Sequence, residues 1–327
     1  MDSSSKPEIV YELQPFLRVY KDGSVERLVG TDTVPPSTDP TTGVTSKDAT
    51  ILPESQISAR LYLPRLAIQN PHHKLPLLVY FPRSYFCVVS PFSSESHRFL
   101  NALVAEAKVI AVSVNYRKAP EHPIPTAYED SWAVLRWIIS HCDHGGPEAW
   151  LNEHADFQRV FLGGASAGAN VVHNLALVAG DPDFGLSVEL LGVALIHPYF
   201  WGSVPIGSEA LQPEKKAFVD RIWPLVCPSV PDNDDPRINP VAEGAPSLAG
   251  VGCRRVLICV AEKDVLKDRG RFYYEALSRS GWMGVVEIDE TEGEDHVFFS
   301  YDLEGQNSKD LINRLAAFFN RDLPPVF

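Results

Sequence analysis

"FLGGASAGANVVHNLALVAG", residues 161 to 180, is the stretch on which the fold turns. Its start closes a short apolar run, and its remainder carries apolar residues at helical spacing. It therefore reads as a buried strand turning sharply into a helix. At the turn stands Gly164-Ala165-Ser166-Ala167-Gly168, a G-x-S-x-G pattern. A serine on such a turn projects its hydroxyl above a sheet edge, and the flanking glycines let strand and helix approach closely. The helix N-terminus favours negative charge developing there. By itself the pentapeptide is a weak signal, because a glycine-rich turn with an inert serine satisfies it equally.

Strand-like runs recur on both sides. They are expected at 57–63, 75–81, 108–114, 159–164, 190–197, 254–261 and 285–290, and most are continuous Val, Ile and Leu stretches. Such runs mark strands covered on both faces. Helical spacing appears between them at 93–107, 126–142, 264–281 and 307–321; the first opens with Ser/Glu capping chemistry, and the second places Trp132, Leu135, Trp137 and Ile138 on one face. Alternation of this kind predicts an α/β fold, a mostly parallel sheet with helices on both faces. Ligands in such sheets bind beyond the carboxyl ends of the strands. Residues 32–53, rich in Pro, Thr, Ser and Asp, read as a surface loop. Residues 202–248 interrupt the alternation and read as an insertion over the sheet, so one domain spanning 1–327 is expected.

A serine hydroxyl needs a base to take its proton, and the base needs an acid to orient it. After a G-x-S-x-G turn the chain order should be Ser, then Asp or Glu, then His, each in a loop beyond a later strand. "RRVLICVAEKD" delivers Asp264, and "VVEIDETEGEDHVFF" delivers His296. Taken singly, Asp264 could cap the following helix and His296 could be a surface histidine. Arrival of both in order makes Ser166, Asp264 and His296 the candidate catalytic group. His197, Tyr199 and Phe200 follow another core strand in "LIHPYFWG". Their position suits pocket lining or packing equally. "NYRKAPEHPIP" reads as a loop pinned by Arg117 and Glu121.

Composition narrows the partners. The net charge of −13, from 29 basic and 42 acidic residues, disfavours nucleic acid and anionic membrane. Five cysteines, none in C-x-x-C spacing, predict reduced thiols and neither a zinc site nor a disulfide framework. No metal and no cofactor is expected. The N-terminal stretch lacks the regions of a signal peptide and no apolar run is long enough to cross a bilayer, so a cytoplasmic protein, with nuclear access open to it, acting on a small molecule is the expectation.

The segments "VSVNYRKAPEHPIPTAYEDSW" (112–132), "GASAGANVVHN" (164–174), "VAEKDVLKDRGRFYYEALSRSGW" (260–282) and "EGEDHVF" (292–298) carry a resemblance. So do "LRVYKDGSVERL" (17–28) and "VPPSTDPTTGV" (34–44). Together they resemble the plant carboxylesterases of the hormone-sensitive-lipase branch of α/β-hydrolases, over nearly the whole chain. The resemblance implies an eight-stranded sheet, a cap from segment 1–30 and insertion 202–248, and a triad of Ser166, His296 and Asp264. It also spans several activities: small-ester hydrolysis, dehydration of isoflavonoid precursors, alkaloid cyclisation and non-catalytic gibberellin binding. Two positions depart from the family's pattern near these segments: Ala165 replaces its usual acid, and Lys118 its usual leucine, here expected as a solvated substitution.

In that family the loop after the "LLVYF" strand reads H-G-G-G, and its N–H groups join that of the residue after the nucleophile in an oxyanion hole. Here the loop is Pro82-Arg83-Ser84-Tyr85. Arg83 and Ser84 keep N–H donors, so with Ala167 they are the candidate oxyanion donors. Their side chains demand a different path or a strained backbone, and Arg83 or Tyr85 is positioned to enter the acyl pocket. Tyr85, Tyr199 and Phe200 are the candidate pocket residues. The expected function is a carboxylesterase-like serine hydrolase with an altered oxyanion loop. Lyase, dehydratase or cyclase chemistry, or receptor-like binding on the same scaffold, are the alternatives.

Overall fold

The computed structural model describes residues 8–321 apart from Pro71 and His144, so residues 1–7 of the expected N-terminal segment lie outside the described residues. Eleven strands are present among them: β1 (Ile9–Leu13), β2 (Leu17–Tyr20), β3 (Val25–Arg27), β4 (Thr45–Leu52), β5 (Ile57–Leu63), β6 (Leu75–Phe81), β7 (Ile110–Asn115), β8 (Ala155–Ala165), β9 (Leu190–Ile196), β10 (Arg255–Ala261) and β11 (Val285–Thr291). The helices are α1 (Arg65–Gln69), α2 (Ser94–Ala107), α3 (Thr126–Ile139), α4 (Ala149–His154), α5 (Ala167–Gly180), α6 (Pro213–Val219), α7 (Ile222–Val226), α8 (Lys267–Arg279) and α9 (Gln306–Asn320). Eight strands form one sheet in the order β11-β10-β9-β8-β6-β7-β5-β4, and the first three form a small separate sheet. The six strands from β11 to β7 run parallel, while β5 and β4 close the far edge antiparallel.

The continuous apolar strands are buried on both faces, as their composition requires. In β6, Leu77 and Val79 join the core on one face, and Leu78 and Tyr80 the core on the other. Helices α2 and α9 cover the second face with Phe99, Leu103, Leu311, Leu315 and Phe318. Ser93 caps α2 by accepting the Ser96 N–H. In α3 the wholly buried side is Val134, Leu135, Ile138 and Ile139, while Trp132 and Trp137 are half-buried at its border.

One expectation fails. Residues 45–52, read as part of a surface loop, form β4. An edge strand needs only one apolar face, and "TSKDATIL" buries Ser46 and Ile51 between exposed polar residues. Its signal is thus weaker than that of a central strand. The N-terminal stretch folds into β1–β3. This small sheet meets the insertion: Tyr11 donates its hydroxyl to the Arg221 carbonyl at 3.1 Å, and the Phe16 and Phe218 rings lie 5.8 Å apart.

The insertion is tied to α8 by a buried ion pair. Arg269 donates to both oxygens of Glu209 at 2.7 and 2.9 Å, with side chains 6% and 0% exposed. Removing one partner of such a pair strands the other charge, at a cost of about 3–5 kcal/mol. Lys216 bonds Asp220 at 2.5 Å, and the Trp201 indole donates to the same carboxylate at 2.8 Å.

Two buried histidines make stability acid-sensitive. Burial pushes His173 down to about 3 and His197 down to about 4. An unfolded histidine titrates near ~6.5, so as pH falls below that value the unfolded chain binds protons that the folded chain refuses. Stability is therefore complete above about pH 6.5 and lost as pH falls towards 4. The expected loss is on the order of a few kcal/mol. Urea titrations across this range measure it, and His173→Gln should flatten the slope.

Candidate active site

The site begins at the β8–α5 turn. Ser166 adopts φ 54° and ψ −119°, a sparsely populated region that costs on the order of 1–3 kcal/mol and persists only where packing enforces it. The enforcement is visible at the neighbouring glycines. A Cβ on Gly168 would sit 2.0 Å from the Phe81 carbonyl oxygen, and one on Gly164 would sit 2.4 Å from the Gly168 carbonyl carbon. The exit of β6 thus passes directly over the first turn of α5. Ser166 is further held by its N–H, which donates to the Ile196 carbonyl at 2.9 Å.

The loops after β10 and β11 bring the other two groups to this turn. His296 Nε2 lies 2.9 Å from Ser166 Oγ, and His296 Nδ1 lies 2.7 Å from Asp264 Oδ2. Asp264 Oδ1 accepts the Leu266 N–H at 2.9 Å. Burial opposes ionisation of Asp264, but the His296 charge and hydrogen bond, helped by His197 and the Leu266 N–H, hold its carboxyl below the usual range. An ionised Asp264 keeps the proton on His296 Nδ1, which leaves Nε2 free to accept from the serine.

His197 sits behind this relay and does not line the cavity. Its Nδ1 accepts the N–H of Val297, the residue after His296, at 2.8 Å. Its own N–H donates to the Cys259 carbonyl at 2.8 Å. Its ring lies 5.9 Å from that of His296. It therefore buttresses the loop that presents the base. Among the described residues His197, Asp264 and His296 are also the one group with metal-ligand spacing. Both Nδ1 atoms of that group are already engaged in the hydrogen bonds above.

The rebuilt loop holds strain. Tyr85 and Phe86 adopt φ 48° and 60°, and Val89 adopts 59°. Left-handed backbone costs a residue with a Cβ roughly 1–2 kcal/mol. Ser84 anchors the turn: its carbonyl accepts from Cys87 and Val88, and its hydroxyl lies 2.5 Å from the Tyr116 hydroxyl. The N–H groups of Arg83 and Ser84 take no part in closing it. Ala167 opens α5, so its N–H has no intrahelical acceptor. Of the two side chains expected to enter the pocket, Tyr85 lines the cavity and Arg83 turns away from it. Arg83 pairs with Glu95 at 2.5 Å and donates to Ser300 Oγ at 3.2 Å, because α2 offers a half-buried carboxylate there.

A cavity of about 510 Å³ opens beside Asp264 and His296, lined by Tyr85, Tyr199, Phe218, Ile222 and Leu266 among others. Phe200 is not among its walls. It packs instead on His173 and Tyr273, with ring centroids 5.3 and 4.7 Å away. The backbone after β9 sends Tyr199 towards the cavity and Phe200 into the core. Phe218 and Ile222, from the insertion, were not foreseen; apolar residues beside charges in "PEKKAFVDRIW" were the available signal. Lys118, expected in solvent, donates to Asn115 Oδ1 at 2.9 Å, and burial pushes it down to about 8. Arg117 binds both oxygens of Asp130 and Glu121 meets Arg27, which pins their loop.

Comparison with known proteins places the fold and the family. A profile of the alpha/beta hydrolase fold matches residues 78–300. Probable carboxylesterase 2 of Arabidopsis thaliana is 48% identical over 97% of this chain and 98% of its own. The chain belongs to the plant carboxylesterase family of α/β-hydrolases. A second relative in that family, 2-hydroxyisoflavanone dehydratase of Glycyrrhiza echinata, is 47% identical over 97% of this chain and 98% of its own. A hyperthermophilic esterase from Pyrobaculum calidifontis shares the fold, with a TM-score of 0.69 at 24% identity and 84% of each chain covered. Among the described residues, no helix is long and apolar enough to cross a membrane.

Proposed function

We propose that the protein is a carboxylic ester hydrolase acting on a small-molecule ester, with Ser166 as nucleophile. Support comes from the unbroken Asp264–His296–Ser166 hydrogen-bond chain facing an apolar cavity and from the carboxylesterase relative. Ser166 Oγ attacks the ester carbonyl while its proton passes to His296 Nε2. The Ala167 N–H, with a donor at Arg83 or Ser84, holds the oxyanion. As the tetrahedral intermediate collapses, His296 returns the proton to the departing alcohol. Water activated by His296 then cleaves the acyl-enzyme, and Ser166 recovers its proton.

The N-terminal sheet and the insertion serve in this reading as a cap over the cavity, because Phe16 and Phe218 meet above Tyr85. Five unpaired cysteines support a reducing, cytoplasmic location, and the plant relatives favour a role in specialised metabolism.

Dehydratase chemistry is the second reading, favoured by the Glycyrrhiza relative and by two tyrosines in the cavity. A fluorophosphonate probe with mass spectrometry separates the two. Hydrolase chemistry requires stoichiometric labelling of Ser166, in parallel with loss of 4-nitrophenyl acetate turnover. Absence of both labelling and turnover would leave the dehydratase reading.

A further inference from the structure

The N-terminal segment bears on the rebuilt loop at three points. Arg27, the last residue of β3, donates from Nε to the Cys87 carbonyl at 2.7 Å and from Nη2 to the Ala119 carbonyl at 3.2 Å. Gly30, with φ 67°, runs so close that a Cβ there would sit 2.7 Å from the Val89 nitrogen. The Phe16 ring lies 4.6 Å from that of Tyr85. All three contacts fall on a loop in which Tyr85, Phe86 and Val89 hold left-handed φ values, which residues with a Cβ avoid.

A strained backbone persists only where its surroundings over-determine it. The loop supplies part of that hold itself, since the Ser84 carbonyl accepts from Cys87 and Val88. The Phe86 carbonyl accepts the Ala119 N–H at 3.0 Å. Cys87 is wholly buried, and its carbonyl is held by the Arg27 guanidinium. A charged donor makes a stronger bond to such a carbonyl than a neutral one. Glu121 aims the guanidinium by accepting from both Nη atoms at 2.7 Å. That ion pair is part-exposed, with side chains 23% and 41% accessible, so it orients Arg27 and adds little by itself. We propose that Arg27 is a positioning residue for ester hydrolysis. Through Cys87 and Ala119 it fixes the strained loop, and with it the candidate oxyanion donors of Arg83 and Ser84, relative to Ser166. This rests on the ester-hydrolase reading. Misplacing a reacting group by about 1 Å can cost a hundredfold in rate, so a brace remote from the substrate can govern turnover.

The test compares Arg27→Met, which keeps the apolar stem and loses every donor, with Glu121→Gln, which leaves Arg27 on the Cys87 carbonyl. Rates on 4-nitrophenyl acetate are taken per active site titrated with a fluorophosphonate, well below the melting temperature. Arg27→Met should lose about tenfold or more in kcat, with KM within about twofold of wild type. A trifluoromethyl ketone, to which Ser166 adds to give an oxyanion, should bind more weakly by a similar factor. Amide exchange should quicken in a peptide covering residues 84–92 and stay level in one covering 292–300. Glu121→Gln should keep kcat within about threefold of wild type. If Arg27→Met does not fold, Arg27→Lys serves, because one ammonium cannot reproduce the fork that holds two carbonyls and a carboxylate; a loss of about threefold or more in kcat is then expected. Unchanged kcat and inhibitor affinity, unchanged exchange at 84–92, or an equal loss in Glu121→Gln would each overturn the proposal. A wild type that turns over no ester overturns the hydrolase reading itself, and the role of Arg27 falls with it.

Discussion

Ser166→Ala is expected to lower kcat on 4-nitrophenyl acetate by about 10⁶-fold, with KM changed little. The size follows from the way the three groups act as a unit. Without the hydroxyl, His296 has no serine proton to take, and the hydrogen bond from Asp264 orients an idle base. A residual rate of about 10³-fold over water should persist, from the Ala167 N–H and from substrate binding. The fold should not suffer: the φ of 54° is imposed by the contacts of Gly164 and Gly168, which alanine leaves intact. Rates of the variant and wild type within tenfold of each other would remove Ser166 from the chemistry. They would leave the cavity as a binding site.

The parts of this protein that were legible beforehand share one property: their physics is local or ordered along the chain. The strands β6, β7, β9 and β10 announce themselves because a strand covered on both faces must be apolar throughout. Edge strand β4 buries one face only, and its polar half hid it. Ser166, Asp264 and His296 could be named from chain order because each follows a recognisable strand. Side-chain direction was another matter. Arg83 turned towards Glu95, a residue twelve positions on whose placement depends on how α2 packs. Tyr199 and Phe200 are neighbours with opposite fates, decided by the left-handed backbone of His197 just before them. Lys118 found Asn115 through the fold of its own loop, which composition does not reveal.

Replacing Pro82-Arg83-Ser84-Tyr85 by His-Gly-Gly-Gly is expected to raise kcat on short acyl esters by about 10²-fold, the worth of one well-placed oxyanion donor. Tyr85 pays for a left-handed φ of 48° at the position where the resembled family carries its last glycine. Glycine adopts that angle without the Cβ penalty, and its absent side chain also leaves room beside the N–H groups for a carbonyl oxygen. The same exchange has a cost in stability. It removes the Arg83–Glu95 pair and the Ser84–Tyr116 contact, and Glu95 Oε1 already has no partner. The melting temperature should therefore fall while kcat rises. Adding Glu95→Gln should recover part of the stability without reversing the gain, since it neutralises the stranded carboxylate and touches no oxyanion donor. A folded loop variant whose kcat stays within threefold of wild type would mean that the native loop already presents its donors correctly. The strain at Tyr85 would then serve substrate choice, setting the aromatic wall against Phe16 and Phe218, rather than limiting the rate.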